Sequence, residues 1–468
     1  MQYFKISEGE IQTIIGEAMK DGADYVDIYF EHSSTLSVSL QNRDDNKASQ
    51  NIDFGAGVRV VVGEKSGYAY TEEVSVPALL KAARLAARIG QNGPRCTAVP
   101  ALRPIAPEKS FYRHRSLDFQ PDQHQIGQLV TYLKDMRESL LQTDGRLTDT
   151  SGSILYKVRR WAVANSLGII YEEEQPITNL SVGGVIAHEG RTERASCSRS
   201  FRNTLRMLTP ALQQEMVKCC IDKLHFALTA VQPKGGEMPV VMGAGASGIL
   251  LHEAIGHAFE ADFIRRGESI FTDCLGKQIC DPDISVFDDG TLPEFRGSIH
   301  VDDEGTPSQC TPIVTEGRLT SFMHDRISAR HFGVEPTGNG RRESFRFMPL
   351  PRMRNTYMSG GHSTEADLIA SVKKGIFVND FSNGQVQIGA GDYSFFVKGG
   401  YLIENGRLTQ PVKDVNIIGN GPRTLADIHG VADNLINDPS TWTCGKEGQS
   451  CPVSCGMPSV LVDKLTVG

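Results

Sequence analysis

Residues 252–257 read His252-Glu253-Ala254-Ile255-Gly256-His257, two imidazoles around a carboxylate, with apolar Ile249-Leu250-Leu251 before them and Ala258-Phe259 after. A segment of this kind reads as a helix that carries a metal site. Histidine is sparse, 12 in 468 residues, so the pairing is informative. In the common zinc-peptidase helix the two histidines are four apart, about 40° around the axis, and both rings face one ion. Here the spacing is five. On a regular α-helix that sets the rings about 140° apart, too far for one zinc at a ligand distance of ~2 Å. A single π-bulge inserts one residue into the turn and returns positions five apart to one face. The spacing therefore predicts a helix that is locally wide or bent between His252 and His257, with Gly256 easing the crowded turn. The alternative is an ordinary helix with its histidines on opposite sides and Glu253 solvated.

Glu253 follows the first histidine as the general base does in other helix-borne zinc hydrolases, placed to accept a proton from a water activated by the metal. A catalytic zinc needs three protein ligands and an open position, so one more ligand is owed. By chemistry the candidates are Glu260, Asp262, Glu268 or a distant cysteine.

Working outward, the length of 468 residues favours two domains. Ser7-x-x-Glu10 is a capping box that opens an amphipathic helix with Ile11, Ile14, Ile15, Ala18 and Met19 on one face. Alternation then predicts antiparallel strands at Val26–Phe30, Leu36–Leu40 and Gly57–Val62, separated by polar turns such as 42–46. Helices are expected at about 77–89, 122–142 and 210–231, with a proline-containing loop over 90–110. Strands at 152–171 and 178–188 enclose the turn Asn165-Ser166-Leu167-Gly168. Pro233-Lys234-Gly235-Gly236 marks the domain boundary, giving an N-terminal α+β domain at 1–235 and a β-rich domain carrying the metal helix at 236–468. The fold class expected is α+β.

Gly243-Ala244-Gly245-Ala246-Ser247-Gly248 matches a dinucleotide fingerprint, but no second βαβ strand ending in an acid follows it. Its glycines read as a tight turn that seats the helix on the sheet. Two hairpin sequences, 313–320 and 402–409, look alike but are too short to make a repeat. Asp302-Asp303-Glu304-Gly305 lacks the spaced ligands of a calcium loop and reads as a solvated turn or a second shell to the metal. Arg341 and Arg342, with Arg346, Arg352 and Arg354, are candidates to bind a substrate carboxylate or carbonyl, or form structural ion pairs.

The net charge is -8, and no basic block of five or more residues occurs, so a direct nucleic-acid ligand is not expected. No apolar run is long enough to span a membrane and the first residues lack the pattern of a signal peptide, so a soluble, cytoplasmic protein is expected. The 10 cysteines are too dilute for a disulfide scaffold, and most should be reduced, with Cys219 and Cys220 as neighbours in a helix rather than a redox pair.

Several segments together carry a family resemblance. They are His252–His257 with Glu260-Ala261-Asp262-Phe263, Arg265-Arg266-Gly267, Asp302–Gly305 and Thr337-Gly338-Asn339-Gly340-Arg341-Arg342-Glu343. To these add Pro351-Arg352-Met353-Arg354-Asn355-Thr356-Tyr357, Cys444-Gly445-Lys446-Glu447-Gly448-Gln449 and Val462–Gly468. The chain resembles the TldD side of the TldD/PmbA metalloprotease family, also described as modulators of DNA gyrase. The resemblance runs essentially full length. It implies a zinc peptidase in which His252, His257 and Cys444 bind the metal and Glu253 is the catalytic carboxylate. It also implies unfolded peptides as substrates, held as added strands in the cleft of a dimer. The partner subunit is either a second copy or a TldE/PmbA-type chain lacking the metal motif. Cys451 and Cys455 depart from the family pattern, as competitors for the metal or as disulfide partners for Cys444. Two other readings remain: a non-enzymatic regulator with a structural metal, signalled by a fourth protein ligand, and a small-molecule amidase, signalled by a closed pocket.

Overall fold

The computed structural model describes residues 1, 3–41, 45–89, 99–107, 110–111 and 123–468. Most of the loop read at 90–110, including Cys96, part of the turn at 42–46 and the first residue of the helix read at 122–142 lie outside them.

Ser7 Oγ accepts the Glu10 N–H and the Glu10 carboxylate accepts the Ser7 N–H, so the capping box opens helix α1 (Glu8–Met19) as its chemistry requires. The chain continues through β1 (Tyr25–Gln41), β2 (Asp45–Val62), β3 (Lys65–Thr71), α2 (Val76–Ala87), β4 (Arg103–Pro104), α3 (Gln123–Thr143), β5 (Leu147–Asn165), β6 (Ile169–His188), β7 (Arg191–Phe201) and α4 (Pro210–Thr229). The sheet runs β3-β2-β1-β5-β6, with β4 and β7 also on β6, and is antiparallel apart from β4. Asn165–Gly168 is the turn between β5 and β6, as its sequence predicts. The two strands read at 26–30 and 36–40 are one, because Ser33 and Ser34 between them are buried and paired like their neighbours. β7, not anticipated, is tied to α4 by a Cys197–Cys219 disulfide.

Strand alternation assigns the two faces. Val26, Ile28 and Phe30 pack with α1 and α2, and Leu36, Val38 and Leu40 with α3 and α4. The odd positions Asp27, Tyr29 and Glu31 meet the C-terminal half, where Tyr29 and Trp161 cluster with Val301 and Phe345. Asp302, Asp303 and Glu304 lie in that contact and are almost fully buried. They form neither a solvated turn nor a metal shell. Arg59 donates to Asp27 at 2.7 Å and to Glu304 at 2.6 Å, and Arg159 pairs with Asp303 at 3.2 Å. Charges buried this deeply persist only when paired, and this network joins the two halves.

In the C-terminal half, Lys374–Val386, Gly236–Met242, Val460–Val467, Val415–Asn420 and Asp392–Glu404 pair in a ring that closes on itself. A second sheet holds Cys310–Thr315, Val286–Asp289, Asn355–Met358 and Ser454–Met457. The metal-helix segment lies between the two sheets, with Leu250, Leu251, Ala254, Ile255 and Phe259 in the core. The two similar hairpins share a turn with positive φ at Glu316-Gly317 and Asn405-Gly406, yet belong to different sheets. The architecture is α+β in two domains, in keeping with the sequence reading. Among the described residues no helix is long and apolar enough to cross a membrane.

Candidate metal centre

The helix is deformed where the five-residue spacing demands it. One α-turn (Gly248–Leu250) passes into a π-helix over Leu251–Gly256 and then a 3-10 turn over His257–Phe259. The His257 N–H donates to the His252 carbonyl, a five-residue link that stacks the two histidines on one side. Their ring centroids are 5.2 Å apart. Gly256 itself has ordinary helical angles, φ -59 and ψ -47, so conformational freedom is not its role. A Cβ there would overlap the Met353 sulfur, and the bare backbone lets Met353 close against the bulge. The glycine run before the helix works in the same way: a Cβ on Gly248 would stand 2.6 Å from the Gly456 nitrogen.

Strand Ser454–Met457 follows a two-residue hairpin, Thr443–Lys446 and Gln449–Pro452, that brings in Cys444. Cys444 Sγ lies 3.4 Å from His257 Nε2. The donor atoms of His252, His257 and Cys444 all fall within 4.8 Å of one another, and this is the group of three metal-capable side chains among the described residues. Glu253 sits at its open edge, 21% exposed, with Oε2 3.9 Å from His257 Nε2. Of the other candidate ligands, Glu260 accepts from His257 Nδ1 at 3.0 Å, Asp262 binds Lys446 and Glu268 binds Arg266. None of the three joins the cluster.

A divalent ion fits this group. Both ring nitrogens of His252 are buried without a hydrogen-bond partner, a condition that is costly unless something else satisfies them. The Glu260 bond fixes the His257 tautomer, leaving Nε2 toward Cys444. Burial opposes the Cys444 thiolate, but His257 and His252 outweigh it and bring its pKa well below that of a free thiol. Burial likewise opposes a charged His257, and Glu260 and Cys444 reverse it, raising its pKa. Two imidazoles and a thiolate are a donor set suited to zinc.

Sequence reasoning missed the support around these donors. Alternation puts Lys446 on the same side of the hairpin as Cys444, and its ammonium reaches Glu260 at 3.0 Å, Asp262 at 2.7 Å and the Pro351 carbonyl at 3.0 Å. Burial opposes ionisation of Glu260, yet Lys446 and His257 hold its pKa at about 2. Arg352 spans both hairpin strands, donating to the Cys444 carbonyl at 2.6 Å and to Cys451 Sγ at 3.3 Å. Cys451 faces Cys444 across the hairpin, and neither it nor Cys455 joins the metal-capable group. Arg341 donates to the carbonyls of Met353 and Pro452, and Arg342 donates to Asp27 at 3.1 Å. Both line a cavity behind the hairpin.

Residues 235–468 match the PmbA/TldA metallopeptidase C-terminal domain, and residues 26–90 match the PmbA/TldA metallopeptidase domain 1. The metalloprotease TldD homologue of Haemophilus influenzae is 37% identical over 454 residues, 95% of this chain and 93% of that protein. The chain belongs to the PmbA/TldD metallopeptidase family. The TldD homologue of Buchnera aphidicola from Schizaphis graminum is 32% identical over 99% of this chain and 96% of its own. One family relative, from Saccharolobus solfataricus, is named a zinc metalloprotease, 35% identical over 50% of this chain and 52% of its own. Among solved structures, a Thermotoga maritima protein described as a modulator of a DNA gyrase has the same fold, with a TM-score of 0.78 at 22% identity over 98% of this chain and 100% of that one. Family membership makes the chain a metal-dependent peptidase by class, and the buried His252, His257 and Cys444 are where such a metal would be held.

Proposed function

We propose that this chain is a zinc peptidase that hydrolyses short or unfolded peptides, with Glu253 as the general base. The observation that carries the reading is the meeting of His252, His257 and Cys444 beside a partly exposed Glu253. Held by those three side chains, zinc supplies Lewis-acid polarisation of a peptide carbonyl and of a water. Glu253 takes the proton of the attacking water and delivers it to the nitrogen of the leaving amine, so the chain returns to its starting state. The Nδ1 bond to Glu260 orients His257 so that Nε2 turns toward Cys444, and Lys446 holds Glu260 in place. The surrounding core excludes water from the ligand side, while the Glu253 side is left for substrate. Three donors rather than four favour catalysis over a purely structural metal.

In this reading residues 236–468 carry the chemistry, and residues 1–235 capture substrate and build the assembly. Peptides add as extended strands to a sheet edge, and the working unit is a dimer with a second copy or with a PmbA/TldE-type subunit lacking the metal motif. We place the chain in the cytoplasm, where Cys444 stays a free thiol, and the Cys197–Cys219 disulfide is the feature of the described residues that runs against a reducing compartment.

The test is cleavage of an unfolded peptide mixture, read by mass spectrometry, for wild type and Glu253→Gln at equal zinc content. Cleavage by wild type alone supports the reading. Cleavage by both would remove Glu253 from its role. Cleavage by neither, with and without a PmbA-type partner, would overturn the peptidase assignment.

A further inference from the structure

Behind the metal hairpin, between the N-terminal sheet and the C-terminal half, lies a cavity of about 160 Å³. Its walls are unusually basic, with Lys157, Arg159, Arg202, Arg341, Arg342 and Arg354 against two carboxylates, Asp303 and Glu343. Those two carboxylates are already engaged. Asp303 pairs with Arg159 at 3.2 Å, and Glu343 accepts the Ser450 N–H at 2.6 Å. Arg342 in turn has Asp27. Among the described residues the charged side-chain ends of Lys157, Arg341 and Arg354 have no carboxylate within 4.0 Å, while the Arg354 backbone N–H donates to Asp288 at 2.8 Å.

Arg354 is the decisive residue. It is 3% exposed; its Nε donates to the Gly338 carbonyl at 3.1 Å, but its Nη2 is buried with no hydrogen-bond partner. An unpartnered guanidinium nitrogen in a cavity with surplus positive charge is poised for a negative oxygen. We propose that this cavity is a binding site for a compact oxyanion, a phosphate or a carboxylate, held by Arg354, Arg341 and Lys157. Burial, and then the neighbouring Arg341, draw the Arg354 pKa down to about 9 even though Asp303, Asp302 and Asp288 act in the opposite direction. Arg341 is lowered too, again by burial first. The site stands apart from the peptidase reading and does not depend on it. Its mouth runs past exposed Ser450 on the hairpin that carries Cys444, so the oxyanion is either free in solution or the C-terminal carboxylate of a bound peptide.

The experiment is calorimetric titration of the full chain with inorganic phosphate at fixed ionic strength, on wild type, Arg354→Met and Lys157→Met. One saturable site, weakened about tenfold or more in Arg354→Met and also weakened in the half-exposed Lys157→Met, is expected. The Lys157 variant keeps the test alive if the Arg354 variant does not fold. No saturable binding, or binding equally strong in the variants, overturns the proposal, since phosphate held at the metal group would survive both substitutions. Peptides with a free or an amidated C-terminus then compete with phosphate. Competition by the free acid alone assigns the site to a peptide carboxylate, and by neither assigns it to a free oxyanion.

Discussion

His257 Nδ1 and the Glu260 carboxylate are 3.0 Å apart, and the same carboxylate is 3.0 Å from the Lys446 ammonium. One acid therefore orients a ring on the metal helix and anchors the hairpin that delivers Cys444. Glu260→Gln keeps the volume but loses the charge that both partners need. We expect metal affinity to fall about 10- to 100-fold with the fold retained, measured by competition with a chelator beside circular dichroism. Unchanged affinity would mean that His257 needs no such orientation.

The π-turn makes its own prediction. Because a Cβ at Gly256 would run into the Met353 sulfur, Gly256→Ala should push the bulge away from Met353 and misplace His257 relative to His252. The expected result is reduced metal content, with a stability loss of about 1–3 kcal/mol. Adding Met353→Ala should restore metal content by opening that contact, and a double variant no better than the single would remove Met353 as the cause.

The five-residue histidine spacing was enough to foresee the widened helix, because regular helical geometry admits only a few ways of bringing such positions together. Ser7-x-x-Glu10 and Asn165–Gly168 were legible for the same reason: their hydrogen bonds are local in the chain. What the sequence hid is long-range. Glu31–Thr35 reads as polar and hence as a break, yet those residues lie inside one strand because the sheet has a second covered face. Asp302–Glu304 reads as a solvated acidic turn, since its partners Arg59 and Arg159 are more than a hundred positions away. Cys444 was visible only through family resemblance. Its place beside the histidines depends on a hairpin stitched down by Lys446 and Arg352, and no local pattern carries that.

Arg59, 1% exposed, is the tie between the sheet of the first half and Glu304 of the second. Arg59→Met leaves Asp27 and Glu304 buried without that shared partner. Breaking a buried pair from one side costs about 3–5 kcal/mol, so a clear fall in melting temperature is expected. Protease cuts should also appear earlier in the N-terminal half as the contact loosens. A melting temperature within about a degree of wild type would show that water or relaxation satisfies these acids.

His324 gives the pH dependence a sign. It is 4% exposed, it lies beside Phe322 and Phe332, and burial brings its pKa from 6.5 to about 4. The folded state thus keeps the ring neutral where the unfolded chain takes up a proton. Its contribution is complete above about pH 6.5 and is lost as the pH falls toward about 4, by at most about 3 kcal/mol. The Nδ1 atom is buried without a partner, and the link to Thr337 runs through the backbone, so a phenyl ring can replace the imidazole without breaking a bond. Denaturant melts of wild type and His324→Phe at about pH 7.5 and pH 4.5 read the effect directly. The variant should lose less stability on acidification than wild type, while equal losses would mean that the ring reaches water when protonated and that the acid sensitivity lies with the buried carboxylates.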